Sequence, residues 1–214
     1  MVVEVRREAM IDSQLRTTGV NDPAVLAAFR RIDRARFVPQ AAASLAYADA
    51  AVEIAPGRAL LEPMALGLLL THAGVLAGAQ VLIVGAGTGY SAAVVAGLGT
   101  QVTALEVDAG LAATARANLA DLDVAVVEGP LAGGWPAMAP FDLILLDGAA
   151  AVLPPMLLAQ VADGGRLAGI IVGDDGVPRI TVGRVAGGHF AGMAFAETGA
   201  RILPGLARAP AFVF

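Results

Sequence analysis

Cysteine and lysine are absent from the 214 residues, and histidine occurs only twice. Without cysteine, the chain has no disulfide, no thiolate nucleophile and no sulfur ligand for a metal ion. Two isolated histidines cannot complete a structural zinc site, so we expect no metal centre. Charged residues make up only 15% of the chain, and its net charge is -5. Because neutralising phosphates requires a basic patch, this charge balance argues against binding to nucleic acid.

Charge is also missing from the long apolar stretch between Pro63 and Leu105, and the mean hydropathy of the chain is +0.72. The stretch is longer than the roughly 20 residues that a membrane helix needs. Glycines divide it into pieces of globular length and no basic cluster flanks it, so we predict buried helices and strands without membrane insertion. Residues 1–16 carry charges of both signs and lack an apolar signal core, which predicts a cytoplasmic protein.

From the middle of that stretch onward, apolar runs of strand length alternate with helical segments. The strands are near-continuous runs of Val, Ile and Leu, which is typical of parallel strands covered on both faces. The alternation predicts an α/β fold with a doubly wound, Rossmann-like, mostly parallel sheet. The predicted strands span 80–84, 101–107, 124–129, 141–147 and 166–173, and the predicted helices between them span 90–99, 109–119 and 153–161.

Before the first strand, three helices are predicted: one over residues 4–16, one capped by Asn21 or Asp22, and one beginning at Pro63. The segment that leads into Pro63 is predicted to be a loop. After the last parallel strand, two apolar runs flank a pair of glycines without a helix between them, which predicts a C-terminal antiparallel hairpin.

The chain has the length of one ordinary domain and contains no low-complexity linker. We therefore predict a single domain over residues 1–214. Within it, residues 1–62 form an N-terminal helical extension and residues 63–214 form the sheet.

Three alternating glycines, Gly85, Gly87 and Gly89, follow the first predicted strand, where a doubly wound sheet binds its ligand. Tyr90 stands where the dinucleotide-binding pattern reserves Gly or Ala, which makes a nicotinamide cofactor the weaker option. Glu106 ends the next strand, where a carboxylate can accept hydrogen bonds from both hydroxyls of a ribose. The pattern suits any adenosine-bearing cofactor. A tight turn without a ligand remains the alternative.

Several longer stretches occur together and in a fixed order: MIDSQLRTTGVNDPAVLAAFRRI with RFVP, AYADAAVEI, VLIVGAGTGYSAAVVAGLG, ALEVD, GGWPAMAPFDLILL and GGRLAGIIVG. In these stretches, up to about residue 173, the chain resembles the protein-L-isoaspartate O-methyltransferase family. The resemblance implies a class I methyltransferase fold and S-adenosyl-L-methionine as cofactor. It also implies methylation of the carboxyl group of isoaspartyl residues in damaged proteins, with a protein or peptide acceptor bound on the side of residues 1–62.

The resemblance also implies a set of site residues. It places the glycine turn under the methionine and ribose portion of the cofactor and assigns the ribose to Glu106. On the acceptor side it makes Leu61 a candidate catalytic position, because the family has a serine there. Asp147 is the other candidate catalytic residue, because it lies at the carboxyl end of a central strand, which points into the site; a loop-capping role is the alternative. The candidate cofactor-binding residues are Gly85, Ala86, Gly87, Gly89, Tyr90, Glu106, Val107, Gly129 and Pro130.

The chain departs from the family pattern at three places around the predicted acceptor site. Leu61 replaces the family serine, whose hydroxyl helps to hold the isoaspartyl group. Gly129 and Pro130 begin the stretch where the family has Gly-Asp-Gly, and Asp147 begins the stretch where it has Thr-Ala-Ala. A carboxylate at position 147 would repel an anionic acceptor and favour a neutral or cationic one. Trp135 is expected either to border the adenine or to anchor the core.

These departures leave three alternatives to the repair function. The first is a methyltransferase with another acceptor, including a small molecule. The second is a protein that binds S-adenosyl-L-methionine without catalysis, and the third is a nicotinamide-dependent oxidoreductase.

Overall fold

A computed structural model describes residues 2–209 of the chain. The first helix, α1 (Val2–Met10), continues without a break through a π-helical segment, Ile11–Leu15, and a 3-10 turn, Arg16–Thr18. Gly19 ends the helical run with a φ of 98°, a left-handed conformation that glycine adopts without steric cost. The run agrees with the helix predicted over residues 4–16. The predicted single domain over residues 1–214 extends at both ends beyond the described residues.

The second helix, α2 (Pro23–Arg31), is capped as the sequence predicts. The Asp22 side chain accepts hydrogen bonds from the amides of Ala24 and Val25 at 2.8 and 3.1 Å. These amides have no partner within the helix, so the cap stabilises its first turn. Two 3-10 segments, Arg34–Phe37 and Gln40–Leu45, follow.

A short antiparallel hairpin consists of β1 (Val52–Ala55) and β2 (Arg58–Leu60), and β2 lies in the segment before Pro63 that the sequence predicts to be a loop. That prediction was wrong for these residues. The strands are only 4 and 3 residues long, too short for an alternating pattern to show. Gly57 makes the turn with a φ of 71°. The hairpin places Ile54 and Arg58 beside the large sheet.

The large sheet has seven strands in the order β5-β4-β3-β6-β7-β8-β9. Strands β3 to β7 pair in parallel, and β8 and β9 form the antiparallel hairpin that the sequence predicts. The predicted fold class is confirmed. Chain order reverses between β3 and β6, which is the point where such sheets bind ligands. The elements are α3 (Pro63–Ala73), β3 (Gln80–Val84), α4 (Tyr90–Ala96), β4 (Gln101–Glu106), α5 (Ala109–Asn118), β5 (Val124–Glu128), β6 (Phe141–Ala150), α6 (Pro155–Leu158), β7 (Val161–Val172), β8 (Pro178–Ala186) and β9 (His189–Glu197).

The strands agree with the predicted ranges except around α6. The predicted helix over 153–161 is reduced to four residues, because β7 begins at Val161 and takes the end of that range. Pro154 and Pro155 open this short helix.

Both faces of the sheet are covered, which explains why its strands are apolar without alternation. In β3, Val81 and Ile83 pack into one buried cluster with the N-terminal helices, whereas Leu82 and Val84 pack into a second cluster on the other face. No helix among residues 2–209 is both long enough and apolar enough to cross a membrane.

After β9, the chain returns to the carboxyl end of β6. The amide of Ala149 donates to the Arg201 carbonyl at 2.8 Å, and the amide of Leu203 donates to the Ala149 carbonyl at 2.8 Å. The Leu203 side chain is only 2% exposed. No sequence pattern predicts this return, which brings residues 199–203 to the predicted ligand-binding edge.

Candidate active site

The glycine turn between β3 and α4 has the conformation that its three glycines require. Gly85, Gly87 and Gly89 have φ values of 79°, 56° and 97°, in the left-handed region that other residues rarely adopt. Gly89 lies at the N-cap of α4. The amides of Gly85 and Ala86 both donate to the carbonyl of Leu105, at 2.9 and 3.0 Å, which fixes the turn against β4.

Neighbouring side chains also require glycine in this turn. A Cβ atom on Gly85 would lie 2.5 Å from Cδ2 of Leu203, and one on Gly87 would lie 2.7 Å from Cδ1 of Ile54. The C-terminal segment and the β1–β2 hairpin therefore cover the turn at van der Waals distance.

Glu106 lies at the carboxyl end of β4 with a fully buried side chain. Its Oε2 accepts a hydrogen bond from the Gly87 amide at 2.7 Å, and its Oε1 accepts from the amides of Val107 and Asp108 at 2.8 and 3.0 Å. The carboxylate therefore joins the glycine turn to the end of β4. The predicted binding of a ribose by Glu106 stays a prediction.

The partner of Glu106 is Arg58 of β2, which sequence reasoning missed. Its Nη1 lies 2.6 Å from Oε1 and its Nη2 lies 2.6 Å from Oε2. Nη2 also donates to the Gly85 carbonyl at 3.0 Å. The sequence does carry one signal, because Arg58 is the only arginine between Arg36 and Arg116 and the chain has no lysine.

The ion pair sets the charge of both side chains. Burial alone would raise the pKa of Glu106, but Arg58 and the amides of Asp108 and Gly87 outweigh it and hold the pKa below its usual range. Burial would lower the pKa of Arg58, but Glu106 raises it overall. Glu106 and Arg58 are therefore both ionised at neutral pH.

Asp147 lies in β6, directly beside β3 and the glycine turn. Its side chain is 5% exposed, and its Oδ1 accepts a hydrogen bond from Ser91 Oγ at 2.8 Å. Burial raises the pKa of Asp147 to about 7, against the opposing effects of Ser91, Arg58 and Arg34. Near neutral pH, this carboxyl group is therefore present in both its neutral and its charged form.

Leu61 follows β2 and is 4% exposed. Its carbonyl accepts a hydrogen bond from Nη2 of the fully buried Arg34 at 2.7 Å, and Nε of Arg34 donates to the Ala46 carbonyl at 2.8 Å. Arg34 therefore fixes the backbone of Leu61, whose own side chain offers no hydrogen bond to a ligand.

A narrow cavity of about 10 Å³ brings the acceptor-side candidates together with Arg58. Such a volume holds about one water molecule. It adjoins an open groove of about 430 Å³ between the β1–β2 hairpin and residues 199–201, which includes the exposed side chains of Glu53 and Arg201. The narrow cavity is lined by Ala51, Arg58, Ala59, Leu60, Leu61, Asp147, Gly148, Ala200, Arg201 and Leu203.

Gly129 lies beside Glu106 at the end of β5. Its amide donates to the Glu106 carbonyl at 3.0 Å, and a Cβ atom on it would lie 3.4 Å from Cζ3 of Trp135. Trp135 is half-buried, and its amide donates to Gln160 Oε1 at 2.7 Å. Gly129, the adjacent Pro130 and the Trp135 ring thus flank the position of Glu106, and their contact with an adenine stays a prediction.

The ring of Tyr90 points into the core and is 1% exposed. It packs edge-on against Phe29 and Phe37, with ring centroids 6.3 and 5.5 Å away, and the guanidinium of Arg34 lies 4.6 Å from its centroid. The predicted cofactor contact of Tyr90 therefore concerns its backbone at the start of α4. By contrast, Val107 is 43% exposed beside Glu106.

A separate cavity of about 420 Å³ opens at the opposite edge of the sheet, near the amino ends of β3, β6 and β7. Asp142 and Asp163 are among its lining residues, and Asp142 accepts a hydrogen bond from the Gln80 amide at 2.8 Å. Doubly wound sheets bind ligands at the carboxyl ends of their strands, so the candidate active site is the smaller cavity near Glu106.

Comparison with known proteins connects this geometry to one family. Residues 5–180 match the family model of protein-L-isoaspartate(D-aspartate) O-methyltransferase. A protein-L-isoaspartate O-methyltransferase from Methylorubrum populi is 41% identical over 168 residues, which cover 78% of this chain and 79% of the relative.

Two solved structures share the fold. A protein-L-isoaspartate O-methyltransferase aligns with a TM-score of 0.82 and 24% identity over 93% of this chain and 66% of its own. A structure from Plasmodium falciparum, described as a protein of the same kind in complex with S-adenosyl-L-homocysteine, aligns with a TM-score of 0.77 and 19% identity. That alignment covers 94% of this chain and 97% of the other.

Proposed function

Because the chain belongs to the protein-L-isoaspartate(D-aspartate) O-methyltransferase family, we propose that it methylates the carboxyl group of isoaspartyl residues with S-adenosyl-L-methionine as the methyl donor. The observation that carries this proposal is the buried Glu106 at the end of the second parallel strand, joined to the glycine turn through the Gly87 amide. The Plasmodium falciparum structure in complex with S-adenosyl-L-homocysteine supports the cofactor.

The residues around Glu106 fit an adenosine-bearing cofactor in their chemistry. Glu106 carries two carboxylate oxygens of the kind that can bind a ribose, the three glycines of the turn carry no Cβ atom, and Trp135 offers an aromatic surface near Gly129. When bound, the cofactor supplies an electrophilic methyl group on a sulfonium centre. The narrow cavity is smaller than a nucleoside, so binding requires the side chains that cover the turn to move.

The acceptor reaction requires positioning more than acid-base chemistry. A carboxylate acceptor is already ionised near neutral pH. Good alignment can contribute about 7–11 kcal/mol to lowering a barrier. The chain's task is therefore to hold the acceptor carboxylate in line with the methyl group and to exclude water.

Asp147 can supply the hydrogen bond that Leu61 lacks. With its pKa raised to about 7 by burial, the carboxyl group is largely neutral below that pH and carries a hydroxyl that can donate to an acceptor carboxylate. Protonation also removes the repulsion that a charged Asp147 would exert on an anionic acceptor. In this proposal, Asp147 binds the acceptor, and Ser91 orients its carboxyl group through the 2.8 Å hydrogen bond.

The adjoining groove is where a peptide would reach this site. It has a volume of about 430 Å³ and carries one cationic and one anionic side chain, Arg201 and Glu53. A protein or peptide acceptor is therefore part of the proposal. The cytoplasmic location and the lack of nucleic-acid binding remain predictions from the charge pattern of the sequence.

A second candidate function is a methyltransferase for a neutral or cationic acceptor. It is favoured by the apolar Leu61 and by the charged form of Asp147, which predominates above pH 7. A protein that binds the cofactor without catalysis is the remaining alternative.

One experiment separates these functions. Labelled methyl transfer from S-adenosyl-L-methionine to an isoaspartyl peptide is measured against the matched aspartyl peptide, with cofactor binding followed by calorimetry in the same preparation. Selective labelling of the isoaspartyl peptide is the expected result. Cofactor binding without labelling would point to another acceptor or to a binding protein, and absence of binding would contradict the proposed function.

A further inference from the structure

The most unusual feature of the site is that both oxygens of Glu106 are already bound. Oε1 accepts from Arg58 and from the amides of Val107 and Asp108, and Oε2 accepts from Arg58 and from the amide of Gly87. The amides belong to the two loops that follow β3 and β4, so they are part of the sheet edge. Arg58 comes from the separate β1–β2 hairpin and covers the remaining side of the carboxylate.

A ribose that binds Glu106 through its two hydroxyls needs the same two oxygens. Nη1 and Nη2 of Arg58 lie 2.6 Å from Oε1 and Oε2, which is the bidentate geometry of an arginine–carboxylate pair. Guanidinium and ribose therefore cannot both occupy this side of Glu106. The hairpin adds to the obstruction because Ile54 lies against Gly87, where a Cβ atom would come within 2.7 Å of it.

We propose that Arg58 takes the place of the ribose hydroxyls on Glu106, so that the cofactor binds only when the guanidinium leaves. This inference rests on the proposed function, since it presupposes a ribose-bearing cofactor. It makes Arg58 a residue that limits cofactor affinity, because part of the binding free energy is spent on breaking the ion pair.

The fold offers the displaced side chain a place to go. Asp147 lines the same narrow cavity as Arg58, so the guanidinium can turn toward its carboxyl group without leaving the site, and an oxygen of that group can accept a hydrogen bond even when the group is neutral. The hairpin that carries Arg58 has strands of 4 and 3 residues, and a two-stranded hairpin of this length has little stability of its own. Its movement therefore disturbs the seven-stranded sheet little.

The exchange also links the two halves of the reaction site. With ribose on Glu106, Arg58 lies toward Asp147 and the acceptor side. The cation that blocks the cofactor in the free protein then faces the place where an anionic acceptor binds. We therefore expect the cofactor to bind before the acceptor.

Replacing Arg58 tests the proposal through cofactor affinity. The dissociation constant of S-adenosyl-L-homocysteine is measured by calorimetry for the wild type, for Arg58→Gln and for the control Arg30→Gln. Arg30 also pairs with a glutamate, Glu8, but at an exposed position on the N-terminal helices. We expect Arg58→Gln to bind the ligand about tenfold more tightly than the wild type. This is the gain that follows if Glu106 is free of Arg58 in about one tenth of the wild-type molecules and in all molecules of the variant. Arg30→Gln should match the wild type.

Ligand-dependent unfolding provides a second readout. Unliganded Arg58→Gln should unfold at a lower temperature than the wild type, because Glu106 loses its cation, but saturating ligand should raise its unfolding temperature more. Arg58→Gln should also bind adenosine more tightly than the wild type does, but it should bind 2′,3′-dideoxyadenosine no more tightly. Only adenosine has the two ribose hydroxyls that bind Glu106. An equal gain for both nucleosides would overturn competition at Glu106.

The remaining outcomes separate this proposal from the proposed function. If the wild type binds the ligand and folded Arg58→Gln binds it equally or more weakly, the competition is wrong while the proposed function stands. If neither protein binds it, both are wrong. If Arg58→Gln does not fold, Arg58→Lys decides. Lysine keeps the charge but cannot present two fixed donors, so it should bind the ligand more tightly than wild type, and equal or weaker binding would overturn the proposal.

Discussion

Ser91 donates a hydrogen bond to Asp147 at 2.8 Å and thereby connects the first turn of α4 to the carboxyl half of β6. The two residues are far apart in the sequence and meet where the order of the parallel strands reverses. The bond fixes the orientation of a buried carboxyl group whose pKa is raised to about 7. The protonation of Asp147 should therefore have the largest effect on how the activity of the site depends on pH.

The first prediction concerns the pH dependence of methyl transfer to an isoaspartyl peptide. The wild-type kcat/KM should fall as the pH rises through about 7, because Asp147 loses the hydroxyl that donates to the acceptor. Asp147→Asn keeps a donor at every pH and should show a flat profile between pH 6 and 9. Asp163→Asn, at an exposed position, is the control and should follow the wild type. The same decline in Asp147→Asn would exclude Asp147 as its cause.

The second prediction concerns stability. The pKa of Asp147 is raised from 3.8 to about 7 in the folded protein, so the folded state binds this proton more tightly than the unfolded chain. Stability from this group is therefore present at low pH and is lost as the pH rises toward and through 7. At about 1.4 kcal/mol per pKa unit, the loss between pH 5 and 8 is at most about 3 kcal/mol.

Urea unfolding at these two pH values checks the sign. The free energy of unfolding of Asp147→Asn minus that of the wild type should be larger at pH 8 than at pH 5. The wild type loses stability over this range as Asp147 ionises, whereas asparagine does not ionise. A difference that is the same at both pH values, or larger at pH 5, would contradict the raised pKa.

The third prediction separates backbone strain from crowding at the glycine turn. Gly85 and Gly176 have nearly the same φ, 79° and 78°, but a Cβ atom would meet Leu203 at 2.5 Å only at the former, whereas nothing lies within 4 Å of the latter. Each alanine substitution should cost about 1–2 kcal/mol for the left-handed backbone. Gly85→Ala should cost a further 1–3 kcal/mol, roughly, for overpacking. Equal losses in urea unfolding would show that Leu203 moves aside freely.

The fourth prediction tests the assignment of Glu106 to the cofactor. Glu106→Gln should weaken S-adenosyl-L-homocysteine binding by more than about tenfold, because a hydrogen bond to a charged group contributes roughly 1.5–3 kcal/mol. Glu128 is the matched control, since it lies opposite Glu106 at the end of β5 but pairs with Arg116 at an exposed position. Glu128→Gln should change the affinity little. Unchanged binding by folded Glu106→Gln in calorimetry would rule out the ribose assignment.

The sequence by itself determined the sheet and its ligand-binding edge. The runs at 80–84 and 101–107 are apolar throughout because the strands are covered on both faces, and the glycines between them mark the turn. The starts of two helices were also predictable, because Asp22 and Pro63 act on backbone groups only a few residues away. These are local effects, and a linear pattern records them.

The short hairpin was not predictable in this way. Its strands of 4 and 3 residues carry too few side chains to show a period of two, and their pairing depends on the turn at Gly57. The C-terminal return to Ala149 was missed because it depends on backbone hydrogen bonds that any sequence can make.

Only the tertiary structure decided the state of the site. Arg58 meets Glu106 across 48 positions of sequence because the hairpin packs over the glycine turn, and an isolated arginine reveals no partner by itself. Asp147 acquires its raised pKa from burial, which exists only once α4, β3 and β6 have come together. The sequence thus determined which groups stand at the ends of the strands. Desolvation and long-range packing, which no local pattern encodes, decided which of those groups are paired, buried or charged.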